Sequence, residues 1–190
     1  MKQSAAQAVR RDEAIRVVEG FHPGSDGLAR KSRALVLGML AHTDAPFSRS
    51  QFTPGHITCT ALIGHPHDGR VLFMHHHRLK KWLLPGGHVE KSDESLAGAA
   101  AREAEEETRV LVDASVTPVL AGIDVHGIPP KRDEPFHLHH DLVWCFRAAS
   151  DEIEVTDEAP RVEWAGEADW DRLGVAESIR QSIRRVQRIA

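Results

Sequence analysis

Glu103, Glu106 and Glu107 stand three and four residues apart in the run Arg102-Glu103-Ala104-Glu105-Glu106-Glu107-Thr108. On a helix this spacing puts their carboxylates on one face. Left alone, that face is unfavourable, because like charges repel and a helix C-terminus prefers cations. A bound divalent cation reverses both effects, and hard cations such as Mg²⁺ take clustered carboxylate oxygens. The ordinary alternative is a solvated acidic face. Gly86-Gly87, after Trp82-Leu83-Leu84-Pro85, weighs against it, since glycines permit a tight turn whose carbonyls can approach an ion. Arg102 is placed to neutralise part of the cluster or to reach back to Glu94.

A second group is polar and titratable. Asp124 and His126 are two residues apart, as are His137, His139 and Asp141 in succession. On strands each set shares one face. If the strands pair, five such side chains meet on a surface that a core-facing strand would not carry. The functional expectation is a pocket wall opposite the acidic helix, contacting base, sugar or phosphate. The plain alternative is the solvent face of an edge strand, and a separate zinc site is a lesser reading. Histidine titrates near neutrality, so a cleft lined with it implies substrate affinity that varies between roughly pH 5 and 8.

The elements that must position these groups read as follows. Residues 1–20 and 28–42 are helical, with a Pro/Gly break between them at 21–27. Residues 56–64 and 70–77 are strands joined by an Asp68-Gly69 hairpin signal. Arg78, Lys80 and Lys81 form a basic cluster before the glycines, suited to phosphates or else solvated. Ser92 or Asp93 can cap the acidic helix. Leu96, Ala97, Ala100, Ala101 and Ala104 give that helix an apolar side. Strands follow at 116–126 and 137–147, with a loop at 127–135 between them. A short strand occupies 161–164, and helices occupy 167–173 and 176–189, the latter with Ile179, Ile183, Val186 and Ile189 on one side.

The stretch from Gly86 to Val110 resembles the Nudix box: Gly, five residues, Glu, seven residues, Arg-Glu-hydrophobic-x-Glu-Glu-x-Gly-hydrophobic. From Glu94 the match runs through Arg102-Glu103-Ala104, Glu106-Glu107 and Val110, with two departures. Six residues separate Gly87 from Glu94, and Arg109 replaces the last glycine. The resemblance implies a Nudix-type α/β/α sandwich with a mixed sheet over 51–190, preceded by a two-helix extension over 1–50. It also implies metal-dependent hydrolysis of a pyrophosphate linkage in a nucleoside diphosphate derivative. Mg²⁺ or Mn²⁺ would be held by Glu103, Glu106, Glu107 and the Gly87 carbonyl. Glu103 is one candidate base, with Asp141, Asp124 and Glu134 as others, while Arg102 and Glu94 hold the loop against the helix. Arg78, Lys80, Asp124, His126, His137 and His139 are the expected substrate contacts. Two alternatives remain: a Nudix domain that senses a nucleotide or sugar without hydrolysis, and an isoprenyl diphosphate isomerase, which would need an active-site cysteine.

Bulk properties narrow the partners. With 190 residues, 41% hydrophobic and 27% charged, the chain suits one soluble globular domain with an extension. A net charge of −4 provides no basic field for nucleic acid. No apolar run reaches transmembrane length, and the N-terminus lacks a secretory core, so a cytoplasmic location is expected. Cys59 and Cys145 lie in apolar runs and read as free buried thiols. Thirteen histidines, clustered mid-chain, are the compositional oddity. The partner is expected to be a small nucleotide-type substrate. The N-terminal helices are expected to pack on the core first, with a homodimer contact or pocket shaping as alternatives.

Overall fold

The computed structural model describes residues 5–131 and 134–187. The alternation His56-Ile57-Thr58-Cys59-Thr60-Ala61-Leu62-Ile63 builds the central strand β1 (Gly55–Gly64). Two-sided burial suits β-branched and small residues at these positions. β1 pairs parallel with β6 (His137–Arg147), and β6 pairs antiparallel with β5 (Val119–Ile128). On its other side β1 meets β2 (Val71–His76) and β4 (Gly86–His88), both antiparallel. β3 (Lys81–Leu83) and β7 (Val162–Ala165) pair with β2, completing a seven-stranded mixed sheet.

Register decides which side chains share a face. His56 pairs across from His139 and Thr58 from Asp141. His126 and Asp124 pair across from the same two residues, and His88 pairs across from Thr58. The intervening residues Ile57, Cys59, Ala61, Ile63, Leu142 and Trp144 point the other way. They share a core with α1 (Ala5–Gly20), α2 (Gly27–His42) and α3 (Leu96–Thr108). Leu62 and Val143 face a second core with Trp170, Leu173 and Ile183, from α4 (Trp170–Leu173) and α5 (Glu177–Gln187). The layers form the expected α/β/α sandwich.

The two N-terminal helices share that first core through Ala14, Val18, Val36, Met39 and Leu40. They also hold the acidic helix in place. Glu13 accepts from the Leu96 N–H at 2.9 Å, and Arg10 donates to the Asp93 carbonyl at 2.6 Å. Among the described residues no helix is long and apolar enough to cross a membrane. Residues 1–4 of the first expected helix, 132–133 of the expected loop and Ile189 of the last helix lie outside the described residues. Strand β5 begins three residues later than the pattern suggests, at Val119.

Two short strands carry no periodicity that a sequence could reveal, β3 and β4. Gly86-Gly87, expected as a turn, is extended in β4, and neither glycine has a positive φ. Glycine serves space here rather than conformation. A Cβ on Gly86 would sit 2.7 Å from the Cys59 carbonyl oxygen, and one on Gly87 would sit 2.7 Å from the Glu103 carboxyl.

Candidate functional site

The acidic helix α3 starts at Ser95, whose Oγ accepts from the Gly98 N–H at 2.9 Å, rather than at Ser92 or Asp93. It ends on Arg109, held at φ 59 with its N–H donating to the Glu105 carbonyl. Arginine thus occupies the left-handed exit that glycine enters without strain. Leu96, Ala99, Ala100 and Ala104 are buried, and Glu103 and Glu107 share that inward side of α3, so their carboxyls reach β4 while Glu106 stays exposed beside them.

Ladder alternation decides which backbone groups they meet. Ala61 N–H donates to the Pro85 carbonyl, so Pro85 and Gly87 turn their polar groups toward β1. Gly86 and His88 turn theirs outward, where Gly86 N–H donates to Glu107 at 2.9 Å and the His88 carbonyl accepts from Arg102 at 2.9 Å. The carbonyl facing the glutamates is therefore that of Gly86. The expected Gly87 carbonyl is turned toward Cys59, and Gly87 contributes the vacant Cβ position against Glu103 instead. Gly87→Ala is expected to push the Glu103 carboxyl aside and cut turnover at least tenfold with an unchanged circular dichroism spectrum. Wild-type kcat would show that Glu103 has no fixed post.

Arg102 joins this edge to the loop before α3. Its Nε donates to Asp93 Oδ1 at 2.8 Å and its Nη1 donates to Glu103 at 3.1 Å and Glu106 at 3.2 Å. Asp93 also accepts from the Glu90 N–H at 2.7 Å. Glu94, the expected partner of Arg102, is exposed, and Asp93 takes that role. Burial alone would raise the Asp93 carboxyl, but the Arg102 and Glu90 hydrogen bonds outweigh it and hold the group below its usual range. Burial raises Glu103 against the pull of Arg102. Burial also pushes Glu107 up to about 8, with Gly86 N–H opposing and Glu103 adding. A crowded, half-buried carboxylate set of this kind fits a hard divalent ion, which would offset both desolvation and repulsion.

The histidine strands occupy the other face of the sheet from α3. His56, His88, His126, His137 and His139 pack ring against ring, with centroids 4.9 Å apart for His56 and His139 and 5.7 Å for His126 and His139. Asp141 is buried beneath them, its two oxygens accepting from Thr58 at 3.0 Å and Thr60 at 2.7 Å. Burial, with neighbouring imidazoles adding, pushes His139 down to about 2. Burial pushes His88 down to about 4, with Arg49 and His56 adding. His126 moves up, because Asp124 bonds its Nδ1. Burial thus takes His88 and His139 out of the expected titration near neutrality, while Asp124 keeps His126 in it. In imidazole ¹H–¹⁵N spectra His88 and His139 are expected to stay neutral between roughly pH 5 and 8, while His126 titrates above its ordinary value. By linkage, the lowered pair contributes fully above the unfolded value and loses stability as pH falls. The His126 contribution is present below the unfolded value and is lost as pH rises through its folded one. A midpoint near 6.5 for His88 would mean that its ring is solvated.

A protein-family model, the NUDIX domain, matches residues 57–186. The chain belongs to the Nudix family. No curated protein matches it. Among solved structures it is similar to the NUDIX domain of Shewanella oneidensis NrtR complexed with ADP ribose, at 19% identity over 81% of this chain and 98% of that one, TM-score 0.54. It is also similar to a C. elegans Ap4A hydrolase in a binary complex, at 15% identity over 70% of this chain and 96% of that one, TM-score 0.51. A NUDIX hydrolase from Nitrosomonas europaea matches at 20% identity over 69% and 87%, TM-score 0.50. These likenesses establish a shared fold.

Within the Nudix box the structure gathers Glu103, Glu106, Glu107, Gly87 and Arg102 at one edge. Asp124, His126, His137, His139 and Asp141 gather on the far face of the sheet, so they do not look onto the acidic helix. Arg78 and Lys80 are exposed on the turn between β2 and β3, and their side chains make no hydrogen bond or ion pair among the described residues. Glu134 is exposed. Sequence reasoning named both glycines but gave the ion to the Gly87 carbonyl rather than that of Gly86, and it read Asp93 only as a helix cap. The signal for Asp93 was present, since five residues separate Gly87 from Asp93, the spacing at which the box places its first acid. His56 and His88 were missed as partners of the histidine strands, and only the histidine excess hinted at them. Cys59 is buried against α3, and burial, with Asp141 next, pushes its thiol well up; burial pushes the Cys145 thiol up to about 11, so neither cysteine is poised as the thiolate an isomerase would use.

Proposed function

We propose that this Nudix protein is a Mg²⁺- or Mn²⁺-dependent hydrolase that splits a pyrophosphate linkage in a nucleoside diphosphate derivative. The gathering of Glu103, Glu106 and Glu107 on the outer edge of β4, beside a backbone carbonyl with no strand partner on that side, carries this reading. Those three carboxylates and the Gly86 carbonyl would hold the ion. When bound, the ion supplies charge neutralisation for phosphate oxygens and a lowered pKa for attacking water. Glu103, half-buried with its affinity for protons raised, is the proposed base. Asp141 is not, because both its oxygens are engaged by threonine hydroxyls on the far face. Arg102 and Asp93 position the loop and the glutamates. Arg78 and Lys80, free on their turn, are the proposed phosphate contacts.

ADP-ribose and dinucleoside polyphosphates, the ligand classes named for the structural neighbours, head the substrate panel, followed by nucleotide sugars and nucleoside triphosphates. Release of a nucleoside monophosphate is expected with Mg²⁺, accompanied by ribose 5-phosphate from ADP-ribose or by pyrophosphate from a nucleoside triphosphate, and none with excess chelator. Turnover undiminished by chelator would remove the metal from the reading. Saturable ADP-ribose binding with Mg²⁺ and no hydrolysis of any substrate would make the domain a sensor.

A further inference from the structure

The cluster on the far face of the sheet has the construction of a metal site. The candidate ligand nitrogens of His56, His88 and His139 lie within 4.8 Å of one another. His56 is 1% exposed, and its Nδ1 lies 3.1 Å from the Gln51 carbonyl. A carbonyl can only accept, so Nδ1 carries the hydrogen and Nε2 bears the lone pair. That Nε2 is buried and has no hydrogen-bond partner among the described residues. A buried acceptor left unsatisfied in this way calls for an explanation. The same device recurs nearby. His137 Nδ1 meets the Pro135 carbonyl at 2.9 Å, and His126 Nδ1 meets Asp124 at 2.9 Å, which leaves each ring's Nε2 open. Metal-binding histidines are oriented by such carbonyl and carboxylate bonds on the other ring nitrogen.

We propose that His56, His88 and His139 form a second metal centre, for a divalent transition-metal ion of the imidazole-preferring class, with Zn²⁺ as its natural occupant. Neutral imidazole is the ligand such ions take, and hard Mg²⁺ prefers the oxygens on the other face. Tetrahedral binding at about 2.0–2.1 Å brings ligand nitrogens to about 3.4 Å apart, so ring rotations of about an ångström close the site. His137, with its ring 5.2 Å from His56 and 5.3 Å from His139, flanks the three converging rings, and the fourth position falls to it or to water. Asp141 and Asp124, one register row away, supply the negative charge that balances the ion. Because β1, β4 and β6 each contribute a ligand, the ion would tie β4, and with it Gly86 and the carboxylate edge, to the centre of the sheet. The centre does not depend on the hydrolase reading.

Chelator-stripped full-length protein titrated with Co²⁺ tests it, since four-coordinate cobalt absorbs visibly and Zn²⁺ should displace it. One equivalent is expected to develop the four-coordinate band, and Zn²⁺ alone is expected to raise Tm. His88→Gln and His139→Gln, each confirmed folded by circular dichroism, should weaken binding at least tenfold and abolish the Tm rise. The Glu106→Gln/Glu107→Gln protein should keep the cobalt band. No saturable band in the wild type overturns the proposal, as does a band that survives both histidine variants or vanishes in the glutamate variant.

Discussion

Glu107→Gln is expected to lower kcat by about a hundredfold or more while the fold stays in place. Glu107 is 6% exposed, and its oxygen accepts from Gly86 N–H. Glutamine is nearly isosteric, and its carbonyl oxygen can keep that hydrogen bond. Only the charge is lost, and the charge is what a divalent ion would need. In metal-free protein the raised Glu107 pKa has a definite sign. Its contribution to stability is fully present below the ordinary carboxylate value and is lost as pH rises toward about 8. Glutamine removes that loss, so the metal-free variant should be at least as heat-stable as the wild type at pH 8. Activity falling while Tm holds or rises identifies a residue kept for chemistry. Unchanged kcat would move the ion away from this carboxylate.

Arg102→Ala is expected to destabilise the protein by about 3 kcal/mol, because it leaves a buried carboxylate without its cation. The Asp93 side chain is 4% exposed and Arg102 22%. Arg102 also bonds the His88 carbonyl, Glu103 and Glu106, so its loss frees the loop, the strand and the glutamates together. Arg102→Lys should recover little, since an ammonium cannot span Asp93 and the His88 carbonyl as the planar fork does. Urea denaturation and a metal titration are expected to move in parallel. A normal unfolding midpoint with selective loss of substrate affinity would make Arg102 a substrate ligand.

Local periodicity was enough for much of this protein. The spacing of Glu103, Glu106 and Glu107 placed them on one helical face, and that face is where the structure has them. Period-two alternation grouped His137 with His139 and Asp141, and Asp124 with His126, and both groups share a face in the sheet. The β1–β2 hairpin, the strand 137–147 and the two N-terminal helices were equally legible, since each depends on residues close in the chain.

What escaped depends on residues far apart. A three-residue strand such as β4 has no period of its own, and it exists because β1 offers a hydrogen-bonding edge. Whether Gly86 or Gly87 aims its carbonyl at the glutamates follows from ladder register, which the residue types do not encode. Asp93 rather than Glu94 meets Arg102 because the loop path, held by Arg10 and Glu13 from the first helix, turns it inward. His56 and His139 become neighbours only through a parallel pairing of distant strands, and His88 joins them from a third. A sequence determines which side chains lie on the same side of one element. Hydrogen-bond register between elements decides which of those sides meet, and here it separated the carboxylates and the histidines onto two faces of one sheet.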